Sequence, residues 1–231
     1  MTPWRCELGA RVSNAHHSPR FTHLPSGRLV WRKRSEVSNM ATSFQATLLS
    51  SLTDVEIFRV LLADLHDDVE GKVARFHQLA DLSNALGSSG TMLPGGETAI
   101  AAWIEARSCF VHGNFVATVL LCQGLAEQVL AAHLAIGIHG EEIPNRISFH
   151  ETLRRCVERG ELTQTDSDDL RRLMSLRNPL SHYRSLEDPA NLSRRVLDTN
   201  MSAETHLLND ATFAIDVAIR LLSMQAFRLG D

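Results

Sequence analysis

Residues 115–136 read FVATVLLCQGLAEQVLAAHLAI. The run is apolar on nearly every side of a helix, and a helix of that kind belongs in the middle of a bundle. Gln123, Glu127, Gln128 and His133 interrupt it, so it falls short of the ~18 consecutive apolar residues that mark a membrane span, and no span is expected. Gln123 and Glu127 stand four apart and therefore share a side, which must face solvent, a partner or a functional site.

Working outward, Gly113 and Asn114 punctuate the chain before this helix, and residues 97–111 read as another, with Ile100, Trp103, Ile104, Arg107 and Phe110 on one side. Ser148 and Glu151 are spaced as a capping box opening a helix that closes at Gly160. Thr165 or Asp166 starts the next, through Leu170, Leu173, Met174 and Leu176 to Arg177. Ala203 to Arg228 is the last, with Leu208, Ala211, Ile215, Ile219 and Leu222 as its buried stripe. Upstream, Thr53 and Glu56 form a second capping box ahead of Val55, Phe58, Leu61, Leu62, Leu65 and Val69, and another helix covers 72–86. The glycine-rich run 87–96 lacks a Gly-Lys-Ser/Thr ending and no strand leads into it, so it reads as a loop and not a phosphate cradle. No alternating strand pattern and no internal repeat occurs. The expected fold is all-α: an antiparallel helical bundle of about five to seven helices, one domain over 46–231.

Residues 1–45 hold prolines, serines and paired histidines without a period and read as a disordered basic tail, or as sequence upstream of a true start at Met40. The first 47 residues carry seven basic groups against two acidic ones, a balance of +5, so the remainder carries −9 of the net −4. A body that acidic does not hold nucleic acid by bulk charge, and any RNA contact must be local. Cys6, Cys109, Cys122 and Cys156 show no Cys-x-x-Cys pair, and His112, His133 and His139 no metal-ligand spacing. Neither a metal nor a cofactor is expected. Without an apolar secretory leader, reduced thiols in a cytoplasm are the simplest reading.

Residues 176–184 read LRNPLSHYR. On an unbroken helix Arg177 and His182 point well apart, being five steps of about 100° from each other. Pro179 disfavours a helical Asn178 and suits the first position of a new helix, so the expectation is a break with Asn178 as N-cap and His182 in the first turn that follows. A helix N-terminus favours anions, and an arginine, a histidine and that positive end are what a reacting phosphodiester needs. Spacing alone is weak. With 21 arginines and 11 histidines among 231 residues, chance supplies about one Arg-x4-His pair, and Arg11 with His16 and Arg107 with His112 are two more. Arg177 to His182 is set apart by a preceding helix, an internal proline and Tyr183 directly after it.

Arg177-Asn178-Pro179-Leu180-Ser181-His182 resembles the Arg-x4-6-His motif of the HEPN superfamily, with a polar residue after the arginine. Gly113-Asn114-Phe115 leading into a long apolar helix with Glu127, and a final helix entered through Asn209-Asp210-Ala211, are also similar to HEPN bundles. The likeness covers about 97–226. It implies metal-independent RNA cleavage, in which a ribose 2′-hydroxyl attacks the adjacent phosphate, with His182 as general acid or base, Arg177 stabilising the phosphorane, and Asn178 holding the turn or touching phosphate. Ser181, Tyr183 and Glu127 are the supporting residues. The likeness also implies a homodimer with two motifs facing one groove, single-stranded or structured RNA as substrate, and a setting in phage defence or as a toxin with an antitoxin or regulatory partner. A non-catalytic HEPN-like dimerisation or binding module is the alternative. One departure stands: some toxin-type relatives place a tyrosine two residues after the histidine, where this chain has Arg184. Gln123 and Glu127 read as a polar seam at a dimer interface or as support for His182. The arginines at 171, 172, 184, 194 and 195 either steer phosphate or form a solvated face.

Overall fold

The long apolar run forms the helix on which the others are built. In a computed structural model that describes residues 53–86, 90–136, 144 and 146–228, eight α-helices occur among the described residues. They are α1 (Asp54–His66), α2 (Val69–Ser83), α3 (Gly96–His112), α4 (Phe115–Ile136), α5 (Phe149–Glu158), α6 (Gln164–Ser181), α7 (Leu192–Thr199) and α8 (Ala203–Leu222). The expected all-α antiparallel bundle is present, with one helix more than the upper expectation. The additional one is α7. Expectations for the tail over 1–45, a start at Met40, and His139 lie outside the described residues. Chain packing separates 1–57 from 58–231; among residues 53–57 the described feature is the start of α1, and the bundle belongs to the second unit.

Ten residues of α4 are buried, including Val119, Cys122, Leu125, Ala126, Val129, Leu130 and Leu134. It packs against α3, α5, α6 and α8. By length and hydropathy α4 does qualify as a membrane-crossing helix, contrary to the count of uninterrupted residues. Half of its most apolar window is nevertheless buried inside the protein. The two-residue turn at Gly113 and Asn114 returns α3 along α4. Gly113 has φ 81°, a backbone conformation in which a side chain would be strained. Arg75 itself is buried, donating from Nε to the Val111 carbonyl at 3.0 Å and from Nη2 to Asp68 at 2.9 Å. One side chain thereby ties α2 to the α3–α4 corner.

The buried line of α3 is Ala99, Trp103, Ala106 and Phe110, spaced four, three and four apart. Of the expected line Trp103 and Phe110 are buried, while Ile100, Ile104 and Arg107 are exposed, because small alanines allow α4 to approach on the neighbouring stripe. Caps behave largely as their residues dictate. Thr53 and Glu56 make the reciprocal box, with Thr53 N–H to Glu56 Oε2 at 2.8 Å and Glu56 N–H to Thr53 Oγ1 at 3.4 Å. At α5, Ser148 accepts from Glu151 N–H at 3.2 Å, but the Glu151 carboxylate turns to Arg154 and Arg155, so that box is one-sided. The α6 box starts earlier than expected, on Thr163 and Asp166.

The largest departure is at Pro179. It does not open a new helix: α6 runs through it to Ser181, Asn178 lies inside the helix, and His182 is its C-cap with φ −127° and ψ 140°. The proline sits in the final turn, where it removes one helical hydrogen bond. Its missing N–H would have bonded the carbonyl of Ser175, which is exposed to water. Packing supplies the opposing force, since Leu176 and Leu180 lie against the core and hold the last turn helical.

Candidate functional site

Ending the helix at residue 182 is what brings the two motif side chains together. The extended backbone of His182 swings its imidazole back along α6, and Arg177 Nη1 stands 3.5 Å from His182 Nε2. That separation is at the outer limit of a hydrogen bond. A guanidinium can only donate, so the contact is a hydrogen bond only in the imidazole tautomer that leaves Nε2 without a proton. An unprotonated nitrogen beside a fixed cation is the arrangement a general base needs near an anionic substrate. His182 is exposed and Arg177 half-buried, so the pair is open to solvent.

The supporting residues divide. Ser181 Oγ donates to the carbonyls of Arg177 and Asn178, each at 3.3 Å, and His182 N–H donates to Asn178 O at 3.0 Å. These bonds satisfy helix-end carbonyls and set the turn. Asn178 thus contributes its backbone carbonyl to the helix end and not an N-cap. Tyr183 is 92% exposed. Glu127 accepts from the buried Gln123 at 2.5 Å, and among the described residues no hydrogen bond joins it to His182. The expected positive helix end is reversed: the pair lies at the C-terminus of α6, where the helix dipole is negative.

The arginines around the motif are mostly committed. Arg172 lies over the Phe213 ring at 4.1 Å, Arg184 pairs with Asp188 at 3.6 Å and Arg194 with Asp198 at 2.9 Å. Arg195 makes a two-pronged pair with Asp210, at 2.6 and 2.9 Å. Among the described residues, Arg171 and Arg177 have no carboxylate partner. Positive charge without a carboxylate partner among the described residues is thus found on α6.

The Arg195 pair belongs to a part-buried polar lattice that residue order did not reveal. Arg195 Nη2 stands 3.4 Å from His206 Nδ1, and His206 Nε2 stands 2.8 Å from Thr199 Oγ1, whose hydroxyl donates to the Arg195 carbonyl at 2.8 Å. Asp210 and His206 are 5% and 4% exposed, so each needs such partners. Asp210 raises the Arg195 pKa through its hydrogen bond, with burial opposing. The lattice fastens α7 to α8. Asn191, which caps α7 with its side-chain oxygen, also donates from Nδ2 to the Arg184 carbonyl at 2.8 Å, tethering the segment that follows His182. Asn191 as a cap and Asn200 in the left-handed region at φ 56° are the local signals that bracket α7. The Arg195 to Asp210 pair joins different helices and leaves no local signal.

No group of three or more histidine, cysteine or acidic side chains able to hold a metal occurs among the described residues. No protein-family model, curated protein or solved structure matches this chain.

Proposed function

We propose that the chain is a metal-independent endoribonuclease of HEPN type. The observation that carries this reading is the 3.5 Å approach of Arg177 Nη1 to His182 Nε2 on an exposed helix end. A phosphate oxygen beside Arg177 would replace the long contact with a charge-assisted one and leave His182 Nε2 free to accept a proton. His182 Nε2 takes the proton of a ribose 2′-hydroxyl as that oxygen bonds to the adjacent phosphorus. The P–O5′ bond then breaks, and a second acid protonates the departing oxygen, leaving a 2′,3′-cyclic phosphate and a free 5′-hydroxyl. Arg177 balances charge on the phosphorane. Each copy carries one such histidine, so a homodimer with two facing motifs supplies base and acid together, by analogy with the superfamily. The setting proposed is cytoplasmic, in phage defence or as a toxin held by an antitoxin or regulatory protein.

The helix polarity favours a second reading. A dipole's negative end beside the pair works against a bound phosphate, which suits a non-catalytic HEPN-like dimerisation or binding module.

Cleavage of a structured and a single-stranded RNA in excess chelator separates the two. The nuclease predicts cyclic-phosphate ends, with the rate falling roughly 10²- to 10⁴-fold in Arg177→Ala and in His182→Ala while circular dichroism is unchanged. Cutting retained by the double variant eliminates the assignment to this pair. No cleavage by the wild-type chain leaves the module.

A further inference from the structure

α7 is fastened to α8 largely by hydrogen bonds. It buries no residue, and none of its apolar side chains belongs to the core. What joins the two helices is Arg195 and Thr199 set against His206 and Asp210. Only one set of proton positions makes all of these contacts hydrogen bonds. The guanidinium can only donate, so Nδ1 of His206, 3.4 Å from Arg195 Nη2, must carry no proton. The ring proton then sits on Nε2 and is donated to Thr199 Oγ1 at 2.8 Å, while Thr199 donates its own hydroxyl proton to the Arg195 carbonyl at 2.8 Å. Both Asp210 oxygens are meanwhile taken by Arg195, at 2.6 and 2.9 Å. Every proton in this arrangement has its place, and there is no acceptor facing Nδ1 for one more.

We infer that His206 is a proton-operated latch that releases α7 from α8 on acidification. A proton added at Nδ1 turns the acceptor facing Arg195 into a donor and sets a second cation beside the guanidinium, so that contact becomes repulsive. The same proton offers Asp210 a new partner. His206 and Asp210 stand four apart on α8 and share a side, where the imidazolium competes for the carboxylate that Arg195 holds. Asp210 thereby changes from a link between two helices to a link within one. Histidine suits this role because it is the side chain whose ordinary charge change lies in the mildly acidic range. Docking of α7 is therefore favoured while Nδ1 is bare and weakens as pH falls. Arg195 of α7 and Asp210 of α8 are the charged groups that meet the lattice. From α2, α3, α4 and α6, which also pack on α8, no hydrogen bond or ion pair reaches the ring among the described residues. Lys72 of α2 and His112 of α3 line a cavity with Asp64, Asp67, Asp68 and Glu204, and Glu204, two residues from His206, lies on the other side of α8. Release also loosens the segment after His182, because Asn191 at the head of α7 holds the Arg184 carbonyl at 2.8 Å. The latch stands whether or not Arg177 and His182 cleave RNA.

The test is amide hydrogen exchange of the full chain at about pH 7.5 and about pH 5, corrected for the intrinsic pH dependence of exchange. The expected result is protection in α7 and in 183–191 that falls roughly tenfold or more at the lower pH while α4 is unchanged. In His206→Gln, whose amide can accept from Arg195 and donate to Thr199 but takes up no proton, the difference between the two conditions should disappear. His112→Gln should keep the wild-type response. Wild-type protection in α7 that is equal at both pH values overturns the inference without recourse to a variant, as does an equal fall in α4. A response that persists in His206→Gln, or is lost in His112→Gln, overturns it too. Imidazole nitrogen chemical shifts of the wild-type chain check the starting state: a proton on Nε2 alone is expected at the higher pH, and one on Nδ1 there sinks the latch.

Discussion

α4 and α1 are both rich in leucine and valine, yet one has ten buried residues and the other none. Their contrast shows that apolar content makes a helix worth burying without deciding what buries it. α4 is surrounded because short connections return α3 and its other neighbours alongside it. α1 ends at a turn through Asp68, whose φ of 53° sends the chain into α2, and among the described residues no helix buries any of its side chains.

The sharpest way to break this contrast is to truncate one leucine in each helix. Leu125→Ala, at a position with no exposure, is expected to cost about 3 kcal/mol, through lost transfer energy and a cavity that the surrounding helices cannot close. Leu62→Ala, followed by urea unfolding at sub-micromolar concentration to keep the chain monomeric, should change stability by less than about 0.5 kcal/mol. Equal costs would mean that α1 is packed within one copy.

An intermediate effect is expected at the lattice between α7 and α8. Asp210→Ala strands the Arg195 guanidinium, and since the side chain of Arg195 is 24% exposed, the loss should be about 2 kcal/mol and less than for a sealed pair. Faster amide exchange in α7 than in α4 would mark the loss as local. Because α7 tethers the segment after His182, any RNA cleavage should fall as well, with the fold intact. Unchanged exchange in α7 would show that the lattice does not hold it.

The smallest effect concerns the thiols of the core. Burial, with Glu161 nearby, pushes the Cys156 thiol from its ordinary 9.0 up to about 12, and burial raises Cys122 as well. The unfolded chain therefore gives up these protons first. The contribution of Cys156 to stability should be constant below the ordinary thiol range, fall as pH rises from 9.0 and level off above about 12. The slope is at most about 1.4 kcal/mol per pH unit for each thiol. Cys156→Ala should flatten the slope when denaturant midpoints are compared at pH 8 and 10. An unchanged slope would place Cys156 in contact with water.

Much of the fold was legible because local signals carry it. Thr163 with Asp166, Ser202 accepting from Thr205, and Gly113 each act on the few residues around them, and the helices begin or end close to where those residues stand. The candidate pair was legible for a reason that proved partly different. Arg177 and His182 do approach each other, but through termination of α6 at His182 and not through a break at Asn178. Propensity at a residue before proline is a weak local preference, and the packing of Leu180 on the core overrode it. α7 was overlooked because its amphipathic run is short, and its stability comes from Asp210 and His206 on another helix.

Residue order by itself determined that this chain makes helices, where most of them are capped, and that α4 lies at their centre. Each of those outcomes depends on interactions within a few residues or on the sheer apolarity of one segment. Tertiary structure alone decided which stripe of α3 is buried, that Pro179 stays inside a helix, that Arg195 is spent on Asp210, and that no residue of α1 is buried among the described residues. Those outcomes turn on contacts between distant segments, whose energies of a few kcal/mol exceed local preferences and leave no periodic mark in the chain.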